Sequence, residues 1–216
     1  MSERLTIAVP RGALFGGTLD LLDGLGIDTA EVRSNDRKLL FADDGGGGLI
    51  TMRPSDVPTY VEAGAADLGI TGKDVLMEQS ERSVIELVDL RYGRCRMVLA
   101  SAAGEDRAAE ALRRLGVMRV ATKYPRIAAA YFERTGRQAE IVEVKGSVEL
   151  APLTGMVEAI VDLTATGSTL AHNGLVEREQ IAVCTARLIA NPVAHKLKAT
   201  EVDAVLARLR ATEGVA

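Results

Sequence analysis

A chain of 216 residues, 47% of them apolar, is long enough for one large or two small domains with cores of their own, and a formal net charge of −4 offers no broad basic surface to a nucleic-acid partner. Tryptophan is absent and aromatics make up 3%, so such cores must be built from Leu, Val, Ile and Ala. No apolar run approaches the roughly 20 residues of a membrane span, and MSERLTIAVPRG enters a strand without a signal peptide's apolar centre; the expectation is a cytoplasmic protein with no membrane partner.

Leu5 to Val9 reads as a buried strand ending in Pro10-Arg11-Gly12, and Leu14, Phe15, Leu19, Leu22 and Leu25 then recur at helical spacing until Gly26 stops them. Strand, turn, helix is an α/β opening. It sets Arg11 at a strand's carboxyl end, the edge where open α/β sheets bind ligands. Lys38 to Ala42 and Leu49 to Met52 are predicted strands joined by a flexible tip, DDGGGG. Two aspartates before that glycine run, no lysine after it and no helix opening from it argue against a phosphate cradle there. Arg53 leads into PSDVP, with Ser55 as N-cap and Pro58 in the first turn of a helix buried along Val57, Tyr60 and Val61 and ended by Gly64. The strand Leu68-Gly69-Ile70 runs into a polar turn, Thr71-Gly72-Lys73-Asp74, before another helix.

Ile85 to Leu90 is a further strand, followed by Arg91, Arg94 and Arg96 around Gly93 and Cys95. Strand resumes from Cys95 to Ser101, which marks a crossing between two lobes. A second α/β series follows: helix Glu105 to Leu115, strand Met118 to Thr122, helix Pro125 to Thr135, strand Glu140 to Val144 and helix Ser147 to Leu153. Beyond the next strand and its loop, Gln180 to Ala190 reads as one long apolar strand returning the chain to the first lobe. Asn191-Pro192 opens a helix, and Thr200-Glu201-Val202-Asp203 caps the last, Val202 to Arg210. Cys95 and Cys184 show no CxxC spacing and read as buried thiols in a reducing compartment; His172 and His195, the only histidines, lack ligand spacing for zinc.

The stretch with most chemistry is the strand Ala159-Ile160-Val161, which carries Asp162 at its end and passes through Thr164-Ala165-Thr166-Gly167-Ser168-Thr169 before Leu170 opens a helix. Gly167 permits a positive φ and a close backbone approach, the hydroxyls of Thr166, Ser168 and Thr169 can donate, and first-turn N–H groups point the same way. Such a loop, lacking a P-loop lysine, suits a phosphate monoester, with Asp162 in reach of the hydroxyls of an attached sugar. The residues alone also allow a plain structural turn, since strand, Thr/Gly turn and helix recur throughout α/β proteins.

Glu149 to Leu170, ELAPLTGMVEAIVDLTATGSTL, resembles the signature of the ATP phosphoribosyltransferase family, in which TGxTL binds the 5-phosphate of phosphoribosyl pyrophosphate. The likeness spans nearly the whole chain: PRG at Pro10 to Gly12, RPSDVPTYVEAGAADLGITGKDVL at Arg53 to Leu76, RCRMVLA at Arg94 to Ala100 and ATKYP at Ala121 to Pro125. It departs from the family pattern at Glu158, where Asp is more frequent, and at Ala13, where a basic residue is common.

The resemblance implies an α/β fold with a two-lobed, periplasmic-binding-protein-like (type II) architecture, each lobe a mainly parallel sheet flanked by helices. Lobe I is expected over 1–91 plus 183–216, on the ATP side, and lobe II over 92–182, with the phosphoribosyl pyrophosphate loop. The implied reaction, the first of histidine biosynthesis, joins N1 of ATP to the anomeric carbon of phosphoribosyl pyrophosphate and releases pyrophosphate. By the same resemblance Asp162, Thr164, Ala165, Thr166, Gly167, Ser168 and Thr169 hold phosphoribosyl pyrophosphate; two polyanionic substrates on an acidic protein need locally concentrated positive charge, and Arg11, Arg33, Arg53, Lys73 and Arg96 are expected to meet ATP and pyrophosphate. Arg33 and Arg53 are expected as the electrostatic catalysts, Arg53 across a dimer interface as the resemblance suggests, and Glu149 orients the cleft or the substrate. Magnesium is held mainly by the substrates' phosphates. The chain resembles the short form, which self-associates and joins a regulatory subunit similar to a histidyl-tRNA synthetase catalytic domain. Two other classes fit parts of the sequence. A non-catalytic two-lobed small-ligand-binding module would not need TGST beside Asp162, and a nucleobase phosphoribosyltransferase usually shows two adjacent acidic residues before its TGxT loop.

Overall fold

The computed structural model describes residues 4–43 and 46–211, so the middle of the predicted glycine tip, Asp44 and Gly45, lies outside the described residues. The chain divides into two compact units, one running up to Gly93 and resuming at Thr185, the other Arg94–Cys184.

In the first unit β1 (Thr6–Pro10) is followed by α1 (Phe15–Gly24), α2 (Ala30–Ser34), the hairpin of β2 (Leu40–Ala42) and β3 (Gly48–Met52), α3 (Val57–Glu62), β4 (Leu68–Gly72), α4 (Lys73–Glu78) and β5 (Ile85–Asp89). The second unit holds β6 (Cys95–Ala102), α5 (Arg107–Leu115), β7 (Met118–Thr122), α6 (Pro125–Arg134), β8 (Ala139–Glu143), α7 (Leu150–Leu153), β9 (Ala159–Thr164), α8 (Ser168–His172) and β10 (Leu175–Cys184). The chain then re-enters the first unit through β11 (Ala186–Ala190), α9 (Pro192–Leu197) and α10 (Ala199–Ala211).

The first sheet is ordered β2-β3-β1-β4-β11-β5; β1, β3, β4 and β5 share a direction that β2 and β11 oppose. The second is ordered β10-β6-β9-β7-β8, with β6 running against its companions. Both sheets are therefore mixed, and parallel pairing is confined to β3-β1-β4 and to β9-β7-β8. Apart from the β2–β3 hairpin, the antiparallel pairs involve the strands next to the two chain crossings: β6 opens the second unit and β11 returns to the first, each against the strands beside it.

Period-two alternation lets β1 serve two layers. Ile7 and Val9 join Leu19, Leu22, Ile70 and Leu209 on one face, and Ala8 meets Val57, Val61 and Ile189 on the other. On that second face α3 lies very close to β4. A Cβ at Gly69 would stand 2.6 Å from Val57 Cγ1 and 2.7 Å from Val61 Cγ2, so a side chain there would push the helix off the sheet. Asn191 fastens α9 to the same helix: its Oδ1 accepts from the Val193 and Ala194 N–H groups as an N-cap, and its Nδ2 donates to Val61 O at 2.8 Å. In the second unit Val98, Ala100, Ala121, Ile160 and Leu170 form a core around β9. Among the described residues no helix is long and apolar enough to cross a membrane.

Several local expectations change. The predicted strand Gln180 to Ala190 is the end of β10 and the whole of β11, in different sheets and separated at Thr185, because an apolar run does not reveal a change of partner. Tyr60, expected in the buried stripe of α3, is 47% exposed, and Pro58 supplies that face together with Val57 and Val61. Asp56 rather than Ser55 stands at the N-cap of α3, and the Ser55 hydroxyl donates to its Oδ1 at 3.3 Å. The helix expected from Ser147 begins at Leu150, the last helix begins at Ala199 rather than Val202, and Cys95 is only partly buried.

Candidate functional site

β9 is the middle strand of the second sheet, and its carboxyl end delivers the loop predicted to hold phosphate. Thr164, buried as the last strand residue, accepts the Gly167 N–H on its Oγ1 at 2.9 Å and so folds the loop back on itself. Gly167 adopts φ 81°, a left-handed conformation costly for a side-chain-bearing residue, and nothing lies within 4 Å of where its Cβ would be. That glycine answers to backbone shape, not to crowding. Thr166 Oγ1 donates to Ser168 Oγ at 2.9 Å and accepts the Ser168 N–H at 3.3 Å, which gathers two exposed hydroxyls beside exposed Thr169. Leu170, buried in the core, anchors the loop's far side.

The helix that follows is shorter than the sequence suggests. α8 spans five residues, and its first internal bond runs from Ala171 N to Gly167 O at 3.0 Å. The Thr169 and Leu170 N–H groups precede that bond and have no acceptor within the helix. With so short a helix, loop hydroxyls and individual N–H groups matter more than a macrodipole. His172 closes the helix by placing Nδ1 2.7 Å from Ser168 O, so it shapes the loop from behind.

Asp162 lies four residues before Thr166 on the same strand and loop. Its Oδ1 accepts the Leu163 N–H at 2.8 Å. Burial holds its carboxyl above the usual value and the charge of Glu149 adds to the rise, while the Leu163 N–H and the Lys123 ammonium pull the other way. The charges of Glu149 and Lys123 thus both act on Asp162 at this strand end. Lys123 gets there by register: β7 runs parallel to β9 with Thr122 opposite Val161, so the residue after each strand leaves from the same edge. Glu149 arrives at the N-cap position of α7, just after Ser147, whose φ of 49° puts a non-glycine residue in the left-handed region. Arg96 stands opposite Thr164 on β6 and pairs with Glu177 at 2.8 Å.

The first unit collects its predicted basic residues by the same rule. Arg11, Arg53 and Lys73 follow Pro10, Met52 and Gly72, the last residues of β1, β3 and β4, which are parallel neighbours. Arg11 donates through Nε to Thr51 Oγ1 at 3.1 Å and through Nη2 to Lys38 O at 3.2 Å, pairs with Asp36 at 3.4 Å, and lies over the Phe15 ring. Lys73 pairs with Glu86 at 2.6 Å, and the Arg53 side chain is exposed. Arg33 is placed differently. It sits at the end of α2, between Asp20 and Asp23 of α1 at 2.7 Å each, and those hydrogen bonds, Asp23's first, raise its pKa.

Glu158 belongs to the frame of the site. It accepts the Arg119 N–H at 2.6 Å and pairs with that guanidinium at 2.6 Å, joining the starts of β7 and β9. Among the described residues no group of three or more His, Cys, Asp or Glu side chains forms a metal-ligand cluster. A cavity of about 710 Å³ in the first unit, lined by Ile27, Glu31, Phe41, Glu201 and Arg208 among others, contains none of the predicted site residues. Lys123 is the site residue that sequence reasoning missed. The signal was present in Ala121 to Pro125, a lysine one position past a strand that runs parallel to β9.

The family model described as ATP phosphoribosyltransferase matches residues 53–211. The ATP phosphoribosyltransferase of Rubrobacter xylanophilus is 53% identical over 206 residues, which cover 94% of each chain. Among solved structures, the ATP phosphoribosyl transferase (HisG:HisZ) complex from Thermotoga maritima aligns with a TM-score of 0.79 at 34% identity, covering 96% of this chain and 97% of the other. The periplasmic aliphatic sulphonate binding protein of Escherichia coli aligns with a TM-score of 0.63 at 14% identity, over 97% of this chain and 72% of that one, a likeness of fold alone and of the two-lobed type that the sequence implied.

Proposed function

The chain belongs to the ATP phosphoribosyltransferase family, and from that premise we propose how its own residues carry the reaction. Enzymes of this family perform the first step of histidine biosynthesis, joining N1 of ATP to the anomeric carbon of phosphoribosyl pyrophosphate with release of pyrophosphate. The observation that carries the residue roles is the loop folded by Thr164 around left-handed Gly167, beside a half-buried Asp162.

In our reading the 5-phosphate sits against the hydroxyls of Thr166, Ser168 and Thr169 and the N–H groups of Ala165, Thr169 and Leu170, where Gly167 lets the backbone come close, and Asp162 takes the ribose hydroxyls. Phosphoribosyl pyrophosphate is thereby the second unit's substrate and ATP the first unit's, where Arg11, Arg53 and Lys73 leave a common sheet edge. N1 of adenine has a lone pair and attacks without losing a proton, so no general base is needed. Positive charge gathers on the ribose as the bond to pyrophosphate lengthens, and negative charge gathers on the leaving group. Asp162 and Glu149 complement the first, and Arg33, Arg53, Lys73 and Arg96 the second, with Arg33 and Arg53 as the electrostatic catalysts.

Asp162 and Glu149 are also oxygen donors of the kind a hard cation prefers, and the rise Glu149 causes in Asp162 is one that a nearby cation would relieve. They are the residues we assign to magnesium, most of whose ligands come from substrate phosphates. When bound, magnesium neutralises charge on the departing pyrophosphate.

We assign self-association to the chain, with Arg53 acting across the subunit interface, and a cytoplasmic location. The Thermotoga maritima complex contains HisG with HisZ, and we assign this chain a partner of that kind, a regulatory subunit resembling histidyl-tRNA synthetase.

The test is a near-ultraviolet assay of the purified chain with ATP, phosphoribosyl pyrophosphate and magnesium, with pyrophosphatase added to draw the reaction forward. An absorbance rise that needs both substrates, and that Thr169→Val weakens through the phosphoribosyl pyrophosphate constant far more than the ATP constant, is the expected result. Equal effects on both constants would dissociate the loop from the phosphate.

A further inference from the structure

Cys95 and Cys184, the two cysteines of the sequence, stand directly opposite each other where β6 pairs antiparallel with β10. Opposed residues of an antiparallel pair project from the same face of the sheet, with Cα atoms about 4.5 or 5.5 Å apart according to whether the pair is hydrogen-bonded. Both separations fall within the roughly 4.4–6.8 Å that a disulfide spans. Both residues are present as thiols.

Their location adds a consequence. Cys95 is the first residue of β6 and Cys184 the last of β10, each beside one of the two points where the chain passes between units. β10 is an edge strand, and its pairing with β6 shifts register between Glu177 and Glu179 and again between Gln180 and Ala182. A covalent tie at this end would hold the most irregular edge of the second sheet. Access is unequal: Cys184 is 1% exposed and Cys95 is half-buried, so a reagent meets Cys95 first and Cys184 can only follow from within.

We propose that Cys95 and Cys184 form a redox modification site, converted to an intrachain disulfide by a small-molecule disulfide of the glutathione class. The Cys95 thiol gives up its proton and its sulfur attacks one sulfur of the small disulfide, which breaks and releases one small thiol. The Cys184 thiol then loses its proton and attacks the Cys95 sulfur, forming the protein disulfide and releasing the second small thiol. Two protein thiols are oxidised, one small disulfide is reduced, and the protein loses two hydrogens in all. Excess dithiol runs the sequence backwards.

The experiment incubates the folded chain with oxidised glutathione, blocks remaining thiols, digests without reduction and maps the peptides by mass. The expected product is the Cys95 peptide joined to the Cys184 peptide with two hydrogens lost, together with a higher thermal midpoint, both reversed by dithiothreitol. Cys95→Ser should leave Cys184 unmodified under the same treatment, although the wild-type map decides the matter even if that variant folds poorly. Glutathione retained on Cys95 with no link to Cys184, a link between two chains through Cys95, or both thiols recovered intact would each overturn the proposal.

Discussion

The buried hydroxyl of Thr122 donates to the Val161 carbonyl at 2.7 Å and accepts the Tyr124 N–H at 2.9 Å, which fixes the end of β7 against β9 one residue before Asp162. Thr122→Val keeps the shape and leaves two buried polar groups without that hydroxyl. We expect a loss of about 1–3 kcal/mol in denaturant unfolding, with no change in the slope of the transition. The apparent constant for phosphoribosyl pyrophosphate should rise as well. A loss near zero would mean the strand ends are held by other means.

Asp162 gives a pH signature. Its carboxyl is raised by burial first and by Glu149 second, so the folded state favours the protonated form. Its contribution to stability is fully present below the unfolded value of 3.8 and is lost as pH rises through the folded value. Asp162→Asn removes that loss. At neutral pH the variant should unfold at an equal or higher denaturant concentration than the parent, the gap closing below about pH 4, while turnover falls by an order of magnitude or more. A variant less stable than the parent at neutral pH would show that Asp162 is held for the fold.

Gly167→Ala separates conformation from crowding. With φ at 81° and open space around the missing Cβ, the substitution costs backbone strain alone, about 1–2 kcal/mol. The chain can relieve that strain by reshaping the loop. We expect a small drop in thermal midpoint and a large rise in the phosphoribosyl pyrophosphate constant, with the ATP constant nearly unchanged; calorimetric titration with each substrate separates the two.

The sequence made the order of strands and helices legible because β1, β4 and β9 carry unbroken apolar runs and several helices end at glycines in left-handed conformations, Gly26, Gly64, Gly116 and Gly136 among them. Pairing direction was not legible. Whether β11 lies parallel or antiparallel to β4 depends on where the chain returns from, and Leu188 looks the same in either arrangement. The loop from Thr164 to Thr169 stood out through its own chemistry, whereas Lys123 did not, since it belongs to the site only because β7 and β9 are neighbours 39 residues apart at Thr122 and Val161. Arg33 shows the opposite limit: its charge was visible, but its two aspartate partners on α1 were not.

Arg53 follows the last residue of β3 and presents an exposed side chain at the edge it shares with Arg11 and Lys73. Arg53→Ala should leave the unfolding curve unchanged and lower kcat by roughly tenfold or more, because in the proposed reaction it meets charge that develops on pyrophosphate. Mixing Arg53→Ala with an Asp162→Asn chain should restore part of the activity if the arginine acts on a neighbouring subunit's substrate. A mixture no more active than its separate components would confine Arg53 to its own chain.

Lys123 stands exposed at the end of β7, and its charge reaches Asp162, lowering that carboxyl against burial and Glu149. Lys123→Ala removes one of the two influences that keep Asp162 ionised and leaves the Leu163 N–H as the other. The limb of the pH–activity profile that reports Asp162 should therefore move to higher pH, and the phosphoribosyl pyrophosphate constant should rise with it. Lys123→Arg keeps the charge and should hold the limb near its original position. If both variants raise the constant while the limb stays fixed, the lysine contacts the substrate directly, and its influence on Asp162 is incidental to turnover.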